Sequence, residues 1–83
     1  MPWYTAHLTD RYHLEVDRMG FYKLTRSEDG AEAYFQGDDA ILWDRNMTAI
    51  ETCHEDSEPA LNRSFNCLCE GYDDVLVVPT TLL

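Results

Sequence analysis

An imidazole and two carboxylates alternate along one short stretch of this 83-residue chain, at His13, Glu15 and Asp17. Alternate residues of a β-strand point to the same face, so these groups form a candidate site for a divalent metal or for acid–base chemistry. The same alternation is typical of a solvated strand face, and no second histidine or nucleophile has a recognisable spacing to it. We therefore predict an exposed strand face here and no metal site.

The three cysteines raise the possibility of a zinc site. Structural zinc sites use closely spaced Cys pairs or spaced His pairs, and Cys53, Cys67 and Cys69 match neither pattern. Cys67 and Cys69 would lie about 200° apart on a helix, too far apart in direction to bind one ion. An odd number of cysteines also argues against a secreted disulfide framework. We predict free thiols, with Cys53 and Cys69 packed in the core, and no cofactor.

The sequence contains none of three common motifs of catalytic or phosphate-binding sites. The serines lack the G-x-S-x-G context of a nucleophile elbow, the glycines build no phosphate-binding loop, and no C-x-x-C is present. His7 and His54 are isolated from one another in sequence. His54 falls on the apolar stripe of a predicted helix, which favours a packed core residue over a ligand. These observations predict a protein without catalytic activity.

Residues 3–36 have the pattern of an antiparallel sheet of three or four strands. Apolar and polar side chains alternate over residues 12–16, as in a half-buried strand. Residues 21–26 and 31–36 flank a Ser-Glu-Asp-Gly link, which predicts a hairpin. Residues 3–8 form either a further strand or an arm. A meander is therefore the expected arrangement of the first half.

The hydrophobic period changes from two to helical in the second half. Apolar residues recur at helical spacing from Trp43 to Ile50, which predicts a helix over residues 39–54. Asp38 or Asp39 is the expected N-cap, because short acidic side chains accept hydrogen bonds from the first free backbone N–H groups.

A second amphipathic helix is predicted over residues 58–72, where apolar residues again follow helical spacing. Ser57 is the expected N-cap, and Gly71 is a plausible terminator. Residues 75–83 form either a last strand or a tail packed across the helices. The chain is thus expected to be a single α+β domain, residues 1–83, with both helices on one face of the sheet.

The charge is strongly acidic and unevenly distributed. The chain holds 16 Asp and Glu against 6 Lys and Arg, a formal net charge of -10. Residues 1–26 hold three acids and four bases, whereas the rest of the chain holds thirteen acids and only two arginines. Direct binding to nucleic acid is not expected, because its phosphates would be repelled. No run of 18 apolar residues is present, so we expect no membrane span.

Clustered acids on the second half suggest a surface that binds a basic partner protein. Phage-encoded DNA mimics, including some anti-restriction and anti-CRISPR inhibitors, are similar to this chain in size and charge. This resemblance in composition implies an inhibitor that occupies the basic surface of a nucleic-acid-binding nuclease or surveillance complex. The residues expected to form the acidic face are Asp44, Glu51, Glu55, Asp56, Glu58, Asp73 and Asp74.

An alternative interpretation assigns partner binding to an aromatic strand face and solubility to the acids. The protein would then be an interaction or assembly subunit that binds through Tyr4, Phe21 and Tyr34. Both interpretations place the chain in the cytoplasm, since residues 1–10 lack the basic and apolar stretches of a secretory signal. They leave the oligomeric state open.

Overall fold

The computed structural model describes residues 2–78, in which four β-strands precede two α-helices and a short 3₁₀-helix. This order confirms the predicted α+β class. The elements are β1 (Tyr4–Leu8), β2 (Tyr12–Val16), β3 (Tyr22–Arg26), β4 (Glu32–Phe35), α1 (Asp38–Cys53), α2 (Glu58–Glu70) and the 3₁₀-helix (Asp73–Val75).

The four strands form one antiparallel sheet in the order β1-β2-β3-β4, so each strand pairs with its neighbour in sequence. Residues 4–8 are a strand, which settles the alternative between a strand and an arm. The register of β1 against β2 shifts between Thr5 and His7, as in a β-bulge. The sheet is thus the predicted meander, with β1 at one edge.

Alternation along the strands gives the sheet two different faces. Tyr12 and Leu14 of β2, Leu24 of β3 and Phe35 of β4 are buried beneath the helices. The intervening side chains, among them Glu15 and Lys23, lie on the opposite face, which no described element covers. We call this the open face.

Trp43 lies at the centre of the core between the sheet and the helices. Its side chain is 0% exposed, and its ring centre lies 5.5 Å from that of Phe35 and 4.8 Å from that of Tyr72. Met47 of α1 and Phe65 of α2 complete the same buried cluster. Both helices therefore pack on one face of the sheet, as their apolar spacing predicts.

The two helices begin with different caps. Ser57 is the N-cap of α2 and accepts a hydrogen bond from the Ala60 backbone N–H at 3.3 Å, as predicted. The prediction of Asp38 or Asp39 as the N-cap of α1 is wrong, because Gly37 occupies that position and provides no side-chain bond. Both aspartates instead lie in the first turn, where their charges interact favourably with the helix dipole.

Gly37 starts α1 because it has a backbone conformation that other residues avoid, with φ +61° and ψ -130°. We predict that Gly37→Ala lowers the free energy of unfolding by about 1–3 kcal/mol through backbone strain. An added Cβ would meet no atom within 4 Å, so a steric clash would not contribute. Urea denaturation measures the difference.

Gly71→Ala is the control for backbone conformation, because Gly71 follows α2 with an ordinary φ of -64°. Its added Cβ would lie 3.3 Å from the Leu68 carbonyl oxygen, a tight contact, so we expect this control to change stability by less than about 1 kcal/mol. Equal losses in the two variants would contradict the assignment of strain to Gly37.

The ends of α2 and of the described chain differ from their predictions. α2 ends at Glu70, two residues before the predicted boundary. Of the predicted segment 75–83, Val77 forms a single antiparallel bridge with Glu32 instead of a strand, and residues 79–83 lie outside the described part of the chain. Within residues 2–78, the segment after α2 therefore pairs with the free edge of β4 at this one position.

A hydrogen-bonded group holds the 3₁₀-helix against the sheet. Asp73 Oδ1 accepts from the Tyr12 hydroxyl at 3.0 Å and from Arg26 Nη1 at 3.1 Å. Burial, followed by the bond to Asp73, raises the pKa of Tyr12 to about 12. Arg26 also donates to Asp29, and this bond is the main reason that the pKa of Asp29 falls to about 2. Asp73 thus has a structural role.

No helix among the described residues combines the length and apolar character needed to cross a bilayer.

Candidate protein-binding surface

Two acidic residues of α1, Asp44 and Glu51, lie seven residues apart on the same side of the helix. Asp44 and Glu51 are exposed and about 10 Å apart along the helix axis. The Tyr22 hydroxyl donates to Asp44 Oδ1 at 3.5 Å. Burial raises the pKa of Tyr22, and the charges of Asp44 and Glu51 raise it further. Asp44 therefore lies beside the end of the sheet at which Tyr22 begins β3.

The turn between the helices continues this acidic surface. Glu51, Glu55 and Glu58 line one cleft of about 410 Å³, together with His7, His54 and Leu61. Asp56 is exposed in the same turn. We define the acidic strip as Asp44, Glu51, Glu55, Asp56 and Glu58.

The acidic strip is not neutralised by the protein's own cations. Within residues 2–78, no strip carboxylate forms an ion pair with a side chain. Arg45 follows Asp44 in α1, but it projects about 100° away from it around the helix. Three of the six cations, Arg11, Lys23 and Arg26, pair with other acids, in the pairs Arg11–Glu70, Lys23–Glu15, Arg26–Asp29 and Arg26–Asp73.

Asp73 and Asp74 do not extend the acidic strip. They follow the C-terminal end of α2, whereas Glu58 begins that helix, so the two ends are separated by about 20 Å. Asp73 is also occupied by Arg26 and Tyr12. The structure therefore brings together five of the seven acids that the sequence suggests and places the other two elsewhere.

The two histidines of the turn cleft hold neighbouring elements together. His54 Nε2 is hydrogen-bonded to Ser64 Oγ at 2.9 Å. His7 Nε2 is hydrogen-bonded to Asn62 Oδ1 at 2.9 Å, and its ring centre lies 4.6 Å from that of Phe65. His54 is half-buried, so its predicted place on the packed side of α1 is only partly realised. These contacts position the cleft wall between β1 and α2.

The candidate cluster on β2 does not converge. His13 Nδ1 lies 3.9 Å from Glu15, but Asp17 uses its carboxylate to accept from the backbone N–H groups of Met19 and Phe21, both at 2.9 Å. Throughout residues 2–78, no three His, Cys, Asp or Glu side chains are arranged to hold a metal ion.

The three cysteines are free thiols, but only Cys69 is buried. The prediction of Cys53 in the core is wrong. Cys53 lies six residues after the buried Met47, which turns it about 120° away from the packed face of α1. Cys67 is exposed on α2, two residues before Cys69.

Thiol reactivity should follow this burial pattern. We predict that Ellman's reagent modifies Cys53 and Cys67 rapidly in the native protein and Cys69 only on unfolding. Burial shields the Cys69 sulfur and raises the pKa of its thiol, which removes the reactive thiolate. Mass spectrometry of the labelled protein identifies the sites. Cys69→Ala should leave the rapid reaction unchanged, and rapid labelling of Cys69 in the wild type would contradict its placement.

The aromatic residues suggested by the sequence do not share one surface. Phe21 and Tyr34 line a cleft of about 210 Å³ with Trp3, and Tyr34 is 62% exposed. Trp3 and Tyr34 lie 6.1 Å apart between ring centres. Tyr4 pairs with Val16, however, and alternation places it on the face covered by the helices.

Trp3 is the site residue that the sequence interpretation did not select. It precedes β1, and Lys23 Nζ on β3 lies 5.2 Å from its ring centre. Its ring therefore reaches across the sheet toward β4, a direction that alternation along a single strand does not encode.

No protein-family model matches this chain, and neither a curated protein nor a solved structure shows significant similarity to it. The function is therefore inferred from the geometry and charge of its own surfaces.

Proposed function

We propose that this protein is a non-enzymatic inhibitor that binds, through its acidic strip, the basic nucleic-acid-binding surface of another protein. It would act as phage-encoded DNA mimics of the anti-restriction or anti-CRISPR type do, in the host cytoplasm. Its partner would be a nuclease or a surveillance complex. The observation that carries this proposal is the set of exposed strip carboxylates without a cation partner among residues 2–78.

The charge arrangement supports partner binding over a purely solubilising role. A solubilising surface needs net charge but not a contiguous strip, and interspersed charges of both signs serve it well. Here the strip acids follow one another from Asp44 in α1 to Glu58 at the start of α2, and their mutual repulsion opposes folding. A basic partner surface would relieve this repulsion and would be steered toward the strip.

Capture from a lysate of the native host tests the proposal. The wild-type protein and a variant with all five strip acids replaced by their amides serve as matched baits. We expect a nucleic-acid-processing protein to bind the wild type at low salt, to dissociate at high salt or when duplex DNA is added, and to be absent from the variant. A partner that binds both baits equally and resists duplex DNA would contradict the proposal.

A second candidate function uses the aromatic cleft of Trp3, Phe21 and Tyr34 on the open face. An exposed tyrosine beside a half-buried tryptophan is typical of a binding hot spot. The protein would then be an assembly subunit whose binding resists salt. Tyr34→Ala should abolish this binding, whereas the amide variant of the acidic strip should leave it unchanged.

A further inference from the structure

An apolar cleft lies at the Asp44 end of the acidic strip. The cleft has a volume of about 340 Å³. It is lined by Met19 of the β2–β3 turn, by Phe21 just before β3, and by Ile41 of α1. Met19 is 66% exposed and Ile41 is 54% exposed. We call these three residues the apolar socket. Large apolar side chains gathered around a surface cleft mark an interaction site more often than single exposed ones do.

The apolar socket and the acidic strip form one continuous surface. Asp44 itself lines the socket cleft, and Ile41 lies one helical turn before it in α1. From Ile41 to the end of α1 at Cys53 the surface extends about 18 Å along the helix axis, and Glu55 lies in the turn just beyond it. A partner bound along the acidic strip would therefore meet the socket at its end.

We propose that the socket receives a large apolar side chain from the same partner that binds the acidic strip, so that the partner segment is amphipathic and basic. This inference rests on the proposed function and specifies the partner's chemistry. Charge complementarity selects arginine or lysine opposite the strip, and the exposed Met19 and Ile41 select leucine, methionine or an aromatic residue opposite the socket. An apolar anchor beside charged contacts is a common arrangement of binding hot spots.

The socket contributes a part of the affinity that salt does not screen. Exposed charges lose most of their interaction beyond about 8 Å at physiological ionic strength, whereas burial of apolar surface does not depend on charge screening. A nucleic-acid-binding groove that carried only basic residues would pair with the acidic strip but would place no apolar side chain in the socket. An amphipathic basic segment satisfies both.

Two synthetic helical peptides test the proposal. Each has about 14 residues, which matches the length of the surface, and carries arginines along one face. The first peptide ends in a pair of leucines, and the second has serines at those positions and the same charge. We expect the leucine peptide to bind the wild type about tenfold more tightly than the serine peptide in fluorescence anisotropy titrations, because one leucine becomes buried.

Variants separate the socket from the acidic strip. Ile41→Ser should reduce the affinity ratio between the peptides to about one, whereas Leu42→Ser, at a similarly exposed position outside the socket, should leave the ratio at about ten. Replacing the strip acids with their amides should lower the affinity for both peptides by the same factor. Equal affinity of the wild type for both peptides would contradict the proposed role of the socket but not the role of the acidic strip. If neither peptide binds at low salt, the acidic strip is not a receptor for basic segments, and both proposals are wrong.

Discussion

Replacing Trp43 with alanine is expected to lower the free energy of unfolding by about 3–5 kcal/mol, the range for truncation of a buried aromatic side chain. The ring is fully buried and contacts both Phe35 of the sheet and Tyr72 beyond α2. Its removal would therefore separate the layers at their centre. Because a domain of this size has a thin core, we expect a large unfolded fraction at 25 °C in urea-free buffer. Circular dichroism and urea denaturation measure the loss.

Trp43→Phe distinguishes lost packing from a lost hydrogen bond. The Trp43 indole N–H is buried and has no hydrogen-bond partner among residues 2–78. Phenylalanine keeps an aromatic ring and removes this unsatisfied donor, so it should cost less than about half of the alanine effect. Leu42→Ala on the exposed side of α1 is the surface control and should change stability by less than about 0.5 kcal/mol. A Trp43→Ala protein as stable as this control would contradict the described core.

Replacing all five acids of the strip with their amides is expected to weaken partner binding about 100-fold. Exposed ion pairs each contribute on the order of 0.5 kcal/mol, and the affinity changes tenfold for about 1.4 kcal/mol. The dependence of Kd on salt should also become shallower, because fewer counterions are displaced. Stability should stay the same or rise, since mutual repulsion is removed. Titration of the captured partner at several salt concentrations measures these effects.

The matched control removes the same amount of charge from other places. Amides at Asp10, Glu28, Glu32, Asp39 and Asp74 change the net charge equally, leave the acidic strip intact and break none of the ion pairs described above. Binding by this control should fall only a few-fold, through weaker long-range attraction. If both variants lose affinity equally, net charge and not the strip determines binding, and the assigned site is wrong.

Local patterns in the sequence determined the secondary structure well. Alternation over residues 12–16 and helical spacing from Trp43 to Ile50 depend on neighbours within a few positions, and β2 and α1 follow them. Ser57 as an N-cap is equally local, since its hydroxyl bonds within three residues. Gly37 as the N-cap of α1 does not follow from local patterns, because the two aspartates after it have the more common capping chemistry.

The acidic character of the surface was determined by the sequence, but only the tertiary structure decided which acids belong together. Asp73 and Asp74 carry the same charge as the acids of the strip, yet α2 separates them from Glu58 by about 20 Å. Asp73 is also paired with Arg26 of β3. The pairing of distant strands likewise places Tyr4 and Tyr34 on opposite faces of the sheet and brings Trp3 next to Tyr34. The periodicity of apolar residues indicates which side of its own helix or strand a side chain occupies. The element that it meets depends on how distant segments pack, which is a property of the whole chain.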